Sequence, residues 1–292
     1  MSPIRPATAA LSIVAAQISI NAGAALGKGL FPLVGPEGVA ALRTGLSALI
    51  LIVIARPWRT ASEPAQWGWL GLYGLSLGGM SLLIYWAIAR IPIGIAVAIE
   101  ICGPLAVVLM TSRSLRDLLW FGLAVIGLLL LLPWPGAQVR LDPIGLAFAS
   151  GAAACWMIYI LVGKRAAAVE GKVAVAIGMT AACLVTVPLG IATAGSGLLQ
   201  PRVFAFGLLV AALSSALPFV LEMKALERLS SRVFGVVTSS APAIAAVVGF
   251  VLLGERLSLV QWIAIAMMIA ASVGCSLANR PGIAKAREDV VT

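Results

Sequence analysis

Two ionisable residues, Arg43 and Glu100, stand within long apolar stretches of the sequence. Ionisable side chains are costly inside a membrane and usually face a cavity or a partner of opposite charge. At the helical rise of about 1.5 Å per residue, Arg43 and Asn21 lie roughly 9 Å, and Glu100 roughly 12 Å, from the same end of their stretches. One interpretation is a polar layer in which Arg43 binds the carboxylate and Glu100 the ammonium of a zwitterion. The alternative is a buried ion pair between Arg43 and Glu100 that only joins two helices.

Hydroxyl groups and amphipathic aromatic side chains also fall near the middle of apolar stretches. They either line a cavity or form hydrogen bonds between helices, which is the usual role of hydroxyl groups inside a membrane. The members of this set are Ser76, Ser81, Tyr85, Trp86, Trp156, Tyr159, Ser214, Ser215, Thr238, Ser239 and Ser240. Glu222 lies beside Lys224 at the end of its stretch, which favours a side chain that extends to the membrane surface or contributes to a gate.

Several other kinds of chemistry are not supported by the sequence. The chain has no histidine, and histidine is both the commonest metal ligand and the usual proton shuttle. The four cysteines fall inside apolar stretches, where a thiol behaves as a small hydrophobic group. The net charge of +9 is spread over many loops, which is not the pattern of a nucleic-acid site. We therefore expect no metal, disulfide, cofactor, nucleic-acid partner or enzymatic activity.

The elements that must position these residues are membrane-spanning helices. Hydrophobic residues make up 61% of the chain and charged residues 11%, so a lipid bilayer has to act as its main solvent. A helix of about 20 apolar residues crosses the hydrocarbon core. The sequence predicts an all-α integral membrane protein with ten such spans, at residues 7–27, 37–54, 67–88, 92–110, 115–132, 143–162, 174–193, 204–223, 233–253 and 257–277.

The distribution of basic residues predicts the orientation of the chain. With the N-terminus inside the cell, the cytoplasmic segments contain 14 of the 20 Lys and Arg residues. Cytoplasmic loops of membrane proteins carry such an excess. Both termini are therefore predicted to be cytoplasmic, in a multi-pass protein of the bacterial inner membrane.

The second half of the chain resembles the first at an offset of about 138 residues. Arg90 then matches Arg228, and Pro104 matches Pro242. Because each half has five spans, an odd number, the second half must enter the membrane from the opposite side. An inverted pair of this kind places a binding site at mid-depth between the two halves.

This symmetry divides the chain into a first five-helix repeat, residues 1–136, and a second, residues 137–292. The paired prolines Pro104 and Pro242 each remove a hydrogen bond within a span and can bend the helix. We therefore expect a pair of hinges in the fourth and ninth spans, on opposite sides of a central cavity.

Five segments carry a resemblance to a known family. They are LYGLSLGGM at 72–80, IPIGIAVAIEICGPLAVVL at 91–109, GKGLFPLVG at 27–35, ALRTGL at 41–46 and GFVLLGERL at 249–257. Together they make the chain similar to bacterial amino-acid exporters of the drug/metabolite transporter superfamily, which have EamA-type repeats. The likeness is greatest to the exporters of threonine and homoserine, followed by those of broad specificity and of aromatic amino acids.

The resemblance implies a ten-helix basket and a secondary transporter that exports neutral amino acids by alternating access, driven by a proton or another gradient. It leaves open a broad specificity that includes aromatic residues or methionine. On the cavity-lining helices of that fold, the substrate-binding candidates are Asn21, Ser81, Tyr85, Glu100, Trp156, Ser214 and Thr238; the structural or coupling charges are Arg43, Glu222 and Glu255. Glu100 is the only well-buried carboxylate that the sequence offers for coupling. Export of another small metabolite or a drug, or a passive solute channel, are the alternatives.

Overall fold

A computed structural model describes residues 6–59, 64–91, 93–111, 115–131, 142–166 and 171–229, and beyond these residues 234, 237–238, 240–253, 258–260, 262–264, 266–267 and 270–271. The α-helices are α1 (Pro6–Lys28), α2 (Phe31–Ala55), α3 (Pro64–Ile88), α4 (Ile93–Glu100), α5 (Cys102–Thr111), α6 (Leu115–Leu131), α7 (Pro143–Ala166), α8 (Gly171–Ala194), α9 (Pro201–Ala211), α10 (Leu217–Arg228) and α11 (Ala241–Leu253). Short 3₁₀ turns cover Pro57–Arg59 and Gly195–Leu199, and a π-helical turn covers Ala212–Ala216. No strand lies within these ranges, as the all-α prediction requires.

Five helical segments in the described ranges are long and apolar enough to cross a membrane. They are Phe31–Arg59, Gln66–Ile88, Pro143–Gly163, Gly171–Leu199 and Pro201–Ala225. Shorter apolar helices cover Ile93–Pro104, Leu118–Leu130 and Ala243–Leu252. Most of the tenth predicted span lies outside the described residues.

The outward faces of these helices are apolar. Leu49 and Val53 on α2, and Leu184 and Ile191 on α8, are all more than half exposed. Polar side chains such as Gln17 are instead buried inside the bundle. This distribution suits a protein whose surrounding solvent is hydrocarbon.

Helix α2 bends near its start. Gly35 has a φ of 67°, a left-handed conformation that a residue with a side chain rarely adopts. Pro36 follows it and has no N–H for the helix. The straight part of α2 therefore begins at the residue where the sequence predicted the second span, Glu37.

The fourth span, predicted from the sequence at residues 92–110 with a bend at Pro104, is broken into two helices. Helix α4 ends at Glu100, Ile101 forms a turn, and α5 begins at Cys102. Pro104 explains this break, because its ring clashes with the carbonyl of the residue four positions earlier and it has no N–H to donate to that carbonyl. That earlier residue is Glu100, so the proline interrupts the helical hydrogen bonds next to a buried carboxylate.

Helices from the first half pack mainly on helices from the second. Helix α3 packs on α7 and α8, α2 packs on α8 and α9, and α1 packs on α10 and α11. Helix α4 packs on α7 and α11. The space enclosed by α1, α2, α3, α4, α7 and α10 contains the central cavity.

Small residues allow the closest of these contacts. A Cβ atom at Gly74 would collide with the carbonyl of Gly178, and one at Gly78 would lie 2.8 Å from the carbonyl oxygen of Ala182. These positions are four residues apart on both α3 and α8, the spacing that brings membrane helices together.

Candidate functional site

A cavity of about 40 Å³ lies between the two halves of the chain. This volume holds only a few ordered water molecules. Five polar or charged side chains line it: Gln17, Asn21, Arg43, Glu100 and Glu222. The remaining wall is formed by Ile20, Ala24, Met80, Ile84, Tyr85, Ile88, Val97, Trp156 and Phe219. A small cavity that combines one cation, two carboxylates and apolar walls is suited to a small zwitterionic solute.

Helix α1 contributes an amide-bearing face to the cavity. Gln17 and Asn21 lie one helical turn apart, so their side chains leave the same side of the helix. Both are almost fully buried, and Asn21 Nδ2 donates to the carbonyl of Gln17 at 2.8 Å. The sequence predicted Asn21 as a site residue but overlooked Gln17, although its position four residues before Asn21 was a usable signal.

Arg43 is buried and is held by the eighth span. Its Nε donates to Ser215 Oγ at 2.6 Å, and its Nη2 donates to the carbonyl of Ser214 at 3.0 Å. The guanidinium also lies 5.6 Å from the ring centroid of Tyr85 and 5.8 Å from that of Phe219. Two aromatic faces and two neutral acceptors therefore surround the positive charge.

Of the two interpretations of Arg43 and Glu100, the direct ion pair is not formed, because Arg43 takes other partners. Within the described parts of the chain, the salt bridge formed is the one between Arg90 and Asp142. Arg43 and Glu100 do line the same cavity, as their similar depth predicted, but the arginine takes its contacts from serine and backbone groups instead. Its charge is thus not neutralised by direct contact with a carboxylate.

Glu222 is a member of the cavity wall. The sequence favoured a side chain that extends to the membrane surface or contributes to a gate. The surface position is wrong because the residue is only 1% exposed, while the gate role stays a prediction. Its Oε1 accepts a hydrogen bond from Gln17 Nε2 at 2.8 Å, and its Oε2 accepts one from Tyr159 Oη at 3.1 Å. Glu100 was predicted to be the only well-buried carboxylate, and this prediction is wrong as well because Glu222 is buried too.

Aromatic packing fixes the donor to Glu222. The ring of Tyr159 stacks on that of Tyr73, with centroids 5.0 Å apart and planes inclined by 29°. On its other side, Tyr159 lies 6.2 Å from the ring of Phe219. Because α3, α7 and α10 each supply one of these rings, the hydroxyl of Tyr159 is positioned by both halves of the chain.

The other sequence-predicted residues fall into two groups. Tyr85 and Trp156 line the cavity together with Asn21 and Glu100. Ser81, Ser214 and Thr238 are buried but are not part of the cavity wall. Ser214 Oγ instead donates to the carbonyl of Val210 at 2.6 Å, a common arrangement for serine within a helix.

The structure describes Pro242 only in part and does not describe Glu255. Pro242 is the second residue of α11, near the start of the ninth span, but its side chain is outside the described set. Glu255 lies outside the described residues altogether. The substrate-binding and hinge roles assigned from the sequence remain predictions.

Four buried hydroxyl groups have no hydrogen-bond partner among the described atoms. They belong to Tyr73, Ser81, Tyr85 and Thr238. Buried polar groups are nearly always paired, so these hydroxyl groups are places where water or a ligand could supply a hydrogen bond. Tyr85 is the member of this set that also lines the cavity, and its hydroxyl lies beside Gly27.

A wider opening lies at one end of the bundle, near the ends of α3 and α7. Glu37 accepts a hydrogen bond from Trp86 Nε1 at 2.6 Å, and Arg90 Nη1 donates to Asp142 Oδ2 at 2.9 Å. The hydrogen bond from Arg90 holds the pKa of Asp142 below its ordinary value. Asp142 also accepts from the N–H of Ile144 at 2.9 Å, so it stabilises the first turn of α7 as well.

The chain is similar in sequence to several bacterial proteins. It is 50% identical over 268 residues to the threonine/homoserine exporter RhtA of Escherichia coli strain K12, which covers 92% of this chain and 91% of that protein. It is 48% identical over 270 residues to the RhtA protein of Salmonella typhimurium strain LT2, with 92% of both chains covered. An uncharacterized protein of Pseudomonas aeruginosa is 32% identical over 232 residues, with 75% of this chain and 76% of that protein covered.

A solved crystal structure shares the fold. It superposes with a TM-score of 0.75 at 19% identity, covering 93% of this chain and 97% of the other. Residues 143–277 match the EamA-like transporter family. With this match and the extensive identity to the exporters above, the chain belongs to the EamA-like transporter family, within the drug/metabolite transporter superfamily that the sequence motifs indicated.

Proposed function

We propose that the protein is a secondary transporter that exports threonine, homoserine and similar neutral amino acids across the bacterial inner membrane. The observation that carries this proposal is the 48–50% identity, over 92% of the chain, to proteins named threonine/homoserine exporters. The cavity supports it independently, because it brings together a cation and two carboxylates beside a buried tyrosine.

The head of the amino acid binds between Arg43 and Glu100. Arg43 has no carboxylate partner among the described residues, and an arginine fork binds a carboxylate through two parallel hydrogen bonds. Glu100 lines the same cavity at the break between α4 and α5. Its carboxylate is suited to the substrate ammonium, and the substrate thereby links the second and fourth spans.

The hydroxyl of the substrate is recognised by Tyr85. Threonine and homoserine both carry a hydroxyl group, and the buried hydroxyl of Tyr85 has no partner in the described part of the protein. A site built to hydrogen-bond a substrate hydroxyl rejects the analogue that lacks it, because its own polar group then stays unpaired. Valine, which has nearly the shape of threonine, should therefore be a poor substrate.

Two five-helix repeats of opposite orientation form the transporter. The helix contacts support this arrangement because they occur in reciprocal pairs. The third span, α3, packs on the sixth and seventh, α7 and α8. In the same way the eighth span, which contains α9 and α10, packs on the first and second, α1 and α2. Likewise the fourth span packs on the sixth, as the ninth does on the first. Alternating access follows when one repeat rocks against the other. The 40 Å³ cavity must widen to admit an amino acid, which a rocking motion would allow.

Proton coupling resides in Glu222. The cavity wall has one cation, Arg43, and two carboxylates, and a buried charge without compensation is strongly unfavourable. A substrate ammonium compensates Glu100, but the substrate carboxylate uses the charge of Arg43. Glu222 then stays neutral by holding a proton, and its neutral hydrogen-bond donors Gln17 and Tyr159 are compatible with both states.

Transport in proteoliposomes tests these assignments. The wild type should accumulate threonine against its gradient when a pH gradient is imposed, with saturation and counterflow. Glu222→Gln should lose the pH-driven accumulation but keep counterflow of threonine against threonine. Retention of full pH-driven transport by this variant would exclude Glu222 as the coupling residue. Flux that rises linearly with concentration and lacks counterflow would instead identify a passive channel.

Replacement of Tyr85 by phenylalanine tests substrate recognition. The variant should lose most of the discrimination between threonine and valine, measured as the ratio of their kcat/KM values, since one hydrogen bond contributes about 0.5–1.5 kcal/mol. Tyr73→Phe is the matched control, because Tyr73 is also a fully buried tyrosine on α3 but does not line the cavity. A panel of all twenty amino acids, with a drug and a sugar, then defines the substrate range.

A further inference from the structure

The eighth span changes its helical type at the level of the cavity. Residues Ala212–Ala216 form a π-helical turn between α9 and α10, and Pro218 follows two residues later. Proline has no backbone N–H, so the carbonyl of Ser214, four residues earlier, lacks the donor that a regular α-helix would supply. Single π-helical turns of this kind occur frequently at functional sites.

Hydroxyl groups from the first half of the chain bind this turn and its flank. Ser19 Oγ on α1 donates to the carbonyl of Leu213 at 2.5 Å. Ser47 Oγ on α2 donates to the carbonyl of Ala211 at 2.8 Å. These two bonds attach the turn to α1 and α2 without involving Arg43, so they provide an internal reference for its role.

Arg43 makes two further contacts with the same turn, through one edge of its guanidinium. Its Nε donates to Ser215 Oγ at 2.6 Å, and its Nη2 donates to the carbonyl of Ser214 at 3.0 Å. A guanidinium has five N–H donors in a rigid planar fork. With the Nε edge occupied, the two Nη1 protons and the second Nη2 proton remain. One proton from each of these two nitrogens forms the end edge of the fork.

We infer that Ser215 is a positioning residue that orients Arg43 for the substrate carboxylate. This inference rests on the proposed function, because it requires Arg43 to bind that carboxylate. Ser215 is buried and acts through Arg43, not through contact with the substrate. By fixing the Nε edge, it leaves the end edge of the guanidinium available for two parallel hydrogen bonds to a carboxylate. Without Ser215, one hydrogen bond to the carbonyl of Ser214 remains, and the plane of the fork is less well defined.

The test compares threonine with threoninol, which has the same ammonium and hydroxyl groups but no carboxylate. Equilibrium binding to the purified full-length chain gives the Kd of each ligand. Ser215→Ala should raise the Kd of threonine by roughly 3- to 10-fold, the loss expected for one weakened charged hydrogen bond. The Kd of threoninol should stay nearly unchanged. Ser215→Thr keeps the hydroxyl group and should restore the preference for threonine.

Ser19→Ala is the matched control, because it removes a hydrogen bond to the same turn without touching Arg43. It should leave the threoninol-to-threonine ratio of Kd values unchanged. An equal change of that ratio in Ser19→Ala and Ser215→Ala, or no change in Ser215→Ala, would overturn the inference. If Ser215→Ala does not fold, Ser215→Cys takes its place, since sulfur is only a weak acceptor.

Arg43→Gln, which removes the positive charge, separates the inference from the proposed function. Loss of the preference for threonine in Arg43→Gln, together with its retention in Ser215→Ala, would exclude the positioning role of Ser215 and leave the proposed binding mode intact. Retention of the preference in Arg43→Gln would show that the substrate carboxylate binds elsewhere, and the proposed binding mode would fail.

Discussion

Replacement of Gly74 by alanine should separate α3 from α8, a contact between the two halves in which the backbones approach closely. A Cβ atom at this position would lie 2.5 Å from the Cβ of Ala181 and 3.0 Å from the carbonyl carbon of Gly178. Ordinary contacts between such atoms are about 3.5–4.0 Å. The backbones must therefore move apart by roughly 1 Å at this point, and neither neighbour has a flexible side chain that could turn away.

The cost of this displacement can be measured against a control on the same helix. Overpacking of one methyl group costs about 1–3 kcal/mol, while alanine is favoured over glycine within a helix by about 1 kcal/mol. Gly71→Ala gains only the second effect, because a Cβ atom at Gly71 meets nothing within 4 Å. The difference in unfolding free energy between the two variants should therefore be about 1–3 kcal/mol.

Thermal unfolding of the purified chain in detergent provides the assay. A change of 1 kcal/mol shifts the Tm of a protein of 150–250 residues by about 2–4 °C, so Gly74→Ala should unfold several degrees below Gly71→Ala. Gly78→Ala should behave like Gly74→Ala, because its Cβ would lie 2.8 Å from the carbonyl oxygen of Ala182. Equal Tm values for Gly74→Ala and Gly71→Ala would refute the close backbone contact between α3 and α8.

Three further predictions concern other elements. Pro104→Ala restores the missing N–H and should favour a continuous fourth span, because an interior proline costs a helix about 3 kcal/mol. Threonine turnover in proteoliposomes should then fall about tenfold or more, while the Kd of threonine changes little. Unchanged turnover would argue against a hinge. Since Arg90 lowers the pKa of Asp142, their pair stabilises the fold at pH values above the ordinary carboxyl pKa. This stabilisation is lost as the pH falls through the lowered pKa. The Tm of Asp142→Asn should therefore decline less in acid than the Tm of the wild type, and identical profiles of Tm against pH would contradict this. Thr44→Val removes the 2.5 Å hydrogen bond to Thr186 and should lower the unfolding free energy by only about 0.6 kcal/mol. A much larger decrease, measured from the Tm, would mean that this bond is stronger than typical hydrogen bonds between membrane helices.

The sequence predicted the helical spans and several members of the cavity wall because both depend on local composition. An apolar stretch of sufficient length forms a membrane helix wherever it lies in the chain, and the depth of Arg43, Glu100 and Asn21 follows from counting residues along a helix. Tyr85 and Trp156 were found in the same way, with the help of the family motifs.

The environment of Glu222 could not be found by this reasoning. Its position beside Lys224 suggested a membrane surface, but the π-helical turn at 212–216 changes the register of the eighth span, a change that counting along a regular α-helix does not predict. The partners of Glu222 are Gln17 and Tyr159, which are 205 and 63 residues away in the chain. No local pattern specifies contacts at such separations.

The sequence by itself determined that this chain is a bundle of membrane helices with charged groups inside it, because hydrophobicity and helix length are properties of each segment alone. Tertiary structure decided which of these groups meet: Arg43 binds Ser215 and the carbonyl of Ser214 instead of Glu100, and Glu222 faces the cavity. The physical reason is that a buried polar group must find its partner among all groups that packing brings within about 3 Å. Helix rotation, the break ahead of Pro104 and the π-helical turn at 212–216 select that partner, and they depend on the whole bundle.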